Sequence, residues 1–208
     1  MKILNLYAGI GGNRKLWEGH EVTAVENDVA IAKIYKDFFP QDTLVIGDAH
    51  QYLLDHYKEF DFIWSSPPCP THSDIRRCGV HAGQYEAKYP DMRLYEEIIL
   101  LNNFAPKDCK WVVENVKPYY KPLIEAKEIE RHLFWTNFDI THIKIPDKRV
   151  HNDIVGSKEV YGYKLDKYSG VDKRKVLRNM VNPELGLHIL NEAMGVKDKP
   201  ITEQLNLL

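Results

Sequence analysis

The chain has 208 residues, a net charge of −2, and 44% hydrophobic and 28% charged residues. These are globular values, and the length can bury a core without staples, so a disordered, collagenous or coiled-coil chain is excluded. No apolar run could span a bilayer, and the three cysteines (Cys69, Cys78 and Cys109) are too few for a disulfide framework. The start, MKILNLYAGIGG, breaks into glycine too early for a signal-peptide core, so a cytoplasmic protein is expected.

In chain order, Lys2–Tyr7 reads as a short apolar strand running into Ala8-Gly9-Ile10-Gly11-Gly12, and Asn13–Trp17 as the start of a helix. Glu21–Glu26 is a second strand, followed by a helix over Asp28–Phe38. Thr43–Ile46 is a third strand, ending at Gly47-Asp48 before a helical Gln51–Tyr57. Phe60–Trp64 is a fourth, running straight into SSPPCPTHS. Asp91–Phe104 places Leu94, Ile98 and Leu101 at helical spacing. Lys110–Val113 is a fifth strand, ending at Glu114-Asn115. Pro122–Glu130 reads as helix and His132–Ile140 as a long strand. This alternation predicts an α/β fold with a doubly wound, mostly parallel sheet. Residues 141–178 lack a clear period and read as a small irregular or β-rich lobe. Residues 183–194 return to helix, opened by Pro183 and stopped by Gly195.

Charge is unevenly placed. Residues 142–178 carry ten Lys or Arg, Lys148 and Arg149 among them, against five acids; that segment is +5 and the remainder −7. A basic patch on an acidic protein suits a phosphate-facing surface, or simply a solvated lysine-rich face.

In an open parallel sheet, ligands sit beyond the carboxyl ends of the strands. The first strand ends in Tyr7-Ala8-Gly9-Ile10-Gly11-Gly12, where glycines let the backbone approach a ligand. The second ends in Glu26, placed to bind ribose hydroxyls, and the third in Asp48, able to accept from an adenine amine. Together these fit an adenosine-containing cofactor. The spacing is GxGG, not the dinucleotide GxGxxG, and no P-loop follows. Pro67-Pro68-Cys69 then fixes a cysteine at the mouth of the sheet. Glu114 ends the neighbouring strand and brings a carboxyl near it. A thiol beside a proton-managing carboxylate suits conjugate addition to an electron-poor ring, provided its neighbours stabilise thiolate. Cys78 and Cys109 lack such a turn and read as ordinary cysteines.

These motifs resemble the cytosine-5 DNA methyltransferase family, over most of the chain and in the family's order. NLYAGIGG, VENDVAIAKIY and IGDAHQY resemble its first three motifs. WSSPPCPTHS resembles the catalytic motif, PDMRLYEEIILL the helix after it, WVVENV the Glu-Asn-Val motif and LRNMVNPELGLHIL the closing motif. The resemblance implies a Rossmann-like class I fold that uses S-adenosylmethionine. Residues 1–140 and 176–208 would form the catalytic domain, and 141–175 a short target-recognition lobe. Cys69 would attack carbon-6 of a flipped cytosine, Glu114 would hold or protonate ring nitrogen 3, Asn115 would brace the Pro-Cys loop and Arg131 would contact the base carbonyl. Tyr7, Gly9, Gly11, Gly12, Glu26, Asn27, Asp48, Ala49, Pro67 and Asn179 would line the cofactor pocket. Ser73, Arg76, Arg77, Lys148 and Arg149 would face double-stranded DNA. Residues 71–90 would be a mobile closing loop, with Gly79 and Gly83 permitting movement. No metal is expected.

The sequence departs from the family at Pro70 and His72, which stand where Gln and an aromatic residue are usual. Its Gln-x-Arg-x-Arg motif is reduced to Ile129-Glu130-Arg131. A compact enzyme of this kind would suit a phage or bacterial orphan enzyme, or the modification half of a restriction system. Members with the same motifs act on tRNA, so an RNA substrate is one alternative and a non-catalytic nucleic-acid-binding homologue another.

Overall fold

The computed structural model describes residues 1–144 and 161–196. One seven-stranded sheet organises them, in the order β3-β2-β1-β4-β5-β7-β6. The strands are β1 (Lys2–Leu6), β2 (Glu21–Glu26), β3 (Thr43–Ile46), β4 (Phe62–Ser65), β5 (Lys110–Val116), β6 (Lys127–Ile129) and β7 (His132–Thr136). The first five run parallel, and β7 and β6 close the edge antiparallel. The doubly wound, mostly parallel sheet expected from the sequence is present. Its order reverses between β1 and β4, which opens a crevice at their carboxyl ends.

Helices cover both faces because the central strands are apolar on both. Against one face, Leu4, Leu6, Ile63 and Val113 pack on α2 (Ala49–His56) and α4 (Arg93–Phe104). On the other, Ile3, Phe62, Trp64 and Phe134 pack on α6 (Pro183–Met194), and Ala24 on α1 (Val29–Phe38). Two shorter helices, α3 (Asp74–His81) and α5 (Lys173–Asn179), flank the carboxyl ends. Pro183 opens α6 behind the Asn182 cap, and Gly195 closes it at φ 68.

Four local expectations are corrected. Asn13–Trp17 forms successive turns rather than a helix. Its side chains are claimed by distant partners: Asn13 Nδ2 donates to Asn5 at 2.8 Å, Arg14 pairs with Asp42, and Trp17 Nε1 donates to the Gly186 carbonyl at 3.1 Å. Pro122–Glu130 is not helical. Its last residues form β6, which turns through Glu130 (φ 55) and Arg131 into β7. That strand ends at Thr136, short of the expected Ile140. Residues 71–90 are not one loop. They contain α3, with Gly79 inside it, where an added Cβ would strike the Tyr85 ring at 2.3 Å. Gly79 leaves room for that ring.

Within the segment read as a lobe, residues 145–160 lie outside the described residues, and Lys148 and Arg149 with them. Tyr163 and Leu165 pack with Ile10, Ile34 and Leu177 against the glycine turn, and α5 spans residue 175 without a break.

Candidate active site

The turn after β1 is the first wall. Tyr7 has φ 54, Gly9 φ 55 and Gly11 φ 81. The glycines divide by purpose. A Cβ on Gly11 would strike Phe39 at 2.3 Å, and one on Gly12 would strike Met180 at 1.9 Å. Both are demanded by packing. Nothing lies within 4 Å of a Cβ on Gly9, so the cleft is open there. Glu26 is buried and holds the turn: Oε2 accepts from Gly9 N and Oε1 from Asp28 N, each at 2.9 Å. Asp48 is the cap of α2, accepting from His50 N at 2.8 Å and Gln51 N at 3.2 Å through Oδ1. Its Oδ2 stands 3.7 Å from Arg93 Nη1. Asn27 is exposed beside Glu26, Ala49 is buried in the first turn of α2, and Asn179 ends α5 in solvent. An open backbone at Gly9, with carboxylates on the two successive strand ends beside it, fits the adenosine-bearing methyl donor implied by the sequence.

The second wall is the loop after β4. Ser65 pairs with Val113 across β4 and β5, which sets the loop beside Glu114 and Asn115. Both residues lie within β5, one step further along than expected. Asn115 Nδ2 donates to the Pro67 carbonyl at 2.9 Å. The Cys69 carbonyl accepts from His72 N and Ser73 N, each at 3.0 Å, so the cysteine backbone is closed into a turn. Ser73 then caps α3. His72 is buried and bonds Tyr120 through Nδ1.

The electrostatics are those of a proton-holding carboxyl. Glu114 is 6% exposed. Burial pushes its carboxyl up to about 7, against the opposing effects of the Ser66 hydroxyl and the Arg131 cation. Burial and the Glu114 charge push the Cys69 thiol up, while Arg131 and Arg178 pull it down. The resting thiol is therefore held protonated. The two groups are coupled, because protonating Glu114 removes the repulsion opposing ionisation at Cys69. Arg131, in the β6–β7 turn, donates from Nη2 to the Arg178 carbonyl at 3.0 Å.

Four further residues shape the site. Trp64 Nε1 donates to Ser66 Oγ at 2.8 Å, which leaves the single Ser66 proton free for Glu114. His132 Nε2 lies 3.7 Å from Glu114 Oε1, and burial lowers the imidazole to about 3, so it is neutral. Arg178 acts on Cys69 from α5, and Glu97 lies buried beneath Tyr7. Only the last had a legible signal, as an acid on the apolar face of α4. The other cysteines stay apart: Cys78 is exposed and Cys109 is buried, its thiol raised to about 11 by burial.

Arg76 and Arg77, expected at phosphates, already hold internal partners. Arg76 stacks on Tyr85 and reaches the Glu86 carbonyl, and Arg77 stacks on Tyr119 and donates to its carbonyl at 3.0 Å. Among the described residues there is no metal-ligating cluster, and no helix long and apolar enough to cross a membrane.

A doubly wound sheet with this glycine turn and a cysteine loop opposite defines a Rossmann-like methyltransferase. The profile of C-5 cytosine-specific DNA methylases matches residues 1–122. The chain belongs to that family. No curated protein matches it. Among solved structures it is similar to a Spodoptera frugiperda DNMT2 mutant, at 26% identity and TM-score 0.39, over 56% of this chain and 35% of that one. It is also similar to a hypothetical protein of Thermus thermophilus, at 19% identity and TM-score 0.45, over 65% and 73%. A third likeness is the SAM-dependent methyltransferase of Agrobacterium tumefaciens, at 14% identity and TM-score 0.41, over 58% and 40%.

Proposed function

We propose that the protein transfers a methyl group from S-adenosylmethionine to carbon-5 of cytosine in DNA, through a covalent bond between Cys69 and carbon-6 of a flipped base. The observation that carries this reading is the pairing of a loop-fixed Cys69 with a buried Glu114 held protonated to about pH 7. Protonated Glu114 donates to ring nitrogen 3 and draws electrons from carbon-6. The Cys69 thiol gives up its proton to water, and Sγ bonds carbon-6 as the carbon-5–carbon-6 double bond shifts to carbon-5–carbon-4. Carbon-5 becomes the nucleophile. The bound cofactor supplies the electrophilic methyl. Loss of the carbon-5 proton to water then expels Sγ from carbon-6, ring nitrogen 3 returns its proton to Glu114, and the released thiolate is reprotonated. Asn115 keeps the loop in register through Pro67, and Arg131 steadies charge on the base carbonyl. Gly9, Glu26 and Asp48 hold the adenosine end, with Tyr7 beside the adenine. Residues 141–175 act as the recognition lobe, and Ser73, Arg76, Arg77, Lys148 and Arg149 meet the phosphate backbone.

The test is nucleoside mass spectrometry after incubation with S-adenosylmethionine and mixed-sequence duplex DNA. The expected result is 5-methylcytosine from the parent protein and none from Cys69→Ala. Methylation by Cys69→Ala overturns the covalent step. A product on tRNA and none on DNA moves the substrate to RNA. A blank on both substrates leaves a nucleic-acid binder without catalysis.

A further inference from the structure

We propose that Glu97, remote from the reacting atoms, is a positioning residue for the cofactor cleft, acting chiefly through Tyr7. The inference rests on the methyl-donor reading above and adds a residue to it. Glu97 is completely buried, on the α4 stripe that also presents Leu94, Ile98 and Leu101 to the sheet. A carboxylate in that setting persists only where donors converge on it. Three do, each from a different segment. Tyr7 donates its hydroxyl to Oε1 at 2.6 Å, His50 Nδ1 lies 3.0 Å from the same oxygen, and Ser65 donates to Oε2.

The three segments are those that build the cleft. Tyr7 leads into Gly9, His50 follows the Asp48 cap, and Ser65 precedes the Pro-Pro-Cys loop. Tyr7 also holds a left-handed backbone at φ 54, which a tyrosine adopts only when its surroundings impose it. The hydroxyl bond to Glu97 supplies that constraint and fixes the ring at the mouth of the glycine turn. A single buried carboxylate thus ties the adenine side of the cleft to α2 and to the strand that carries the cysteine.

The test is calorimetric titration of S-adenosylmethionine into the full chain, comparing the parent, Tyr7→Phe, Glu97→Gln and the double variant, with circular dichroism melts alongside. Tyr7→Phe keeps the ring and removes only the tether. The expected result is about tenfold weaker binding for each single variant and no further loss in the double, the non-additivity of two residues that share one contact. Affinities equal to the parent, or losses that multiply in the double, overturn the proposal. Should Glu97→Gln fail to fold, Tyr7→Phe alone decides, since unchanged affinity there removes the tether from the argument. A parent that does not bind S-adenosylmethionine overturns the methyl-donor reading itself, which is a separate outcome.

Discussion

Glu114 is worth more protonated than charged in this fold, and two pH predictions follow from that. Its carboxyl is raised from the ordinary 4.5 to about 7, chiefly by burial. On the proposed mechanism, the proton that Glu114 gives to the base is therefore present below about pH 7 and lost above it. The methylation rate at saturating cofactor should fall on the alkaline side with an apparent pKa near 7, and Glu114→Gln should lower the rate by roughly 10²–10⁴-fold and abolish that limb. For stability, the preference for the protonated form is complete below about 4.5 and disappears as pH rises through about 7. Above that range the parent buries an ionised carboxylate, and Glu114→Gln does not. Urea denaturation should find the two alike near pH 4 and the variant more stable near pH 8, by on the order of 3 kcal/mol. Cys69 and Glu114 were legible in the sequence because each stands in a motif, Pro-Pro-Cys in the loop after β4 and Glu-Asn-Val in β5. Ser66 and His132 were not: a serine before two prolines and a histidine in a strand become meaningful only when β5 lies between them.

Elements tell a similar story about what local pattern can and cannot say. The parallel strands and α1, α2, α4 and α6 were readable because their apolar periods, caps and stops agree with their tertiary surroundings. Asn13–Trp17 was misread because its outcome depends on Asn5 in β1 and on Asp42 and Gly186, far away in the chain. The β6–β7 turn hid behind a stretch with helical composition, and its strand pairing is what overrides that preference. Two predictions belong here. Glu130 stands at φ 55 in the β6–β7 turn, so Glu130→Gly should raise stability by roughly 1 kcal/mol, read as a higher urea midpoint. Gly186→Ala in α6 should act oppositely. Its Cβ would meet the Asn13 backbone at 2.3 Å, and the shift should cost roughly 1–3 kcal/mol and weaken cofactor binding, because Asn13 follows the glycine turn.

At the scale of the whole molecule, the glycine turn is anchored from several directions. Arg14 meets Asp42 bidentately at 2.8 and 2.9 Å, and Tyr35 donates to the same carboxylate at 2.7 Å, all buried. Removing one partner leaves a buried charge, so Asp42→Ala should cost roughly 3–5 kcal/mol in urea denaturation, whereas the paired Arg14→Met and Asp42→Leu change should cost far less. Neither residue announces this in the sequence, since a buried ion pair has no local pattern.

The floor of the glycine turn is supplied by the far end of the described chain. Tyr163 bonds the Gly11 carbonyl at 2.8 Å, Met180 fills the space under Gly12, and the Gly186 carbonyl receives Trp17. During synthesis these partners leave the ribosome after Cys69, Glu114 and Arg131 have already emerged. A nascent chain halted before Tyr163 would carry Cys69, Glu114 and Arg131 yet lack the support beneath the glycine turn. On the mechanism proposed above, a chain stopped short of Gly186 cannot yet shape the cleft that receives the methyl donor.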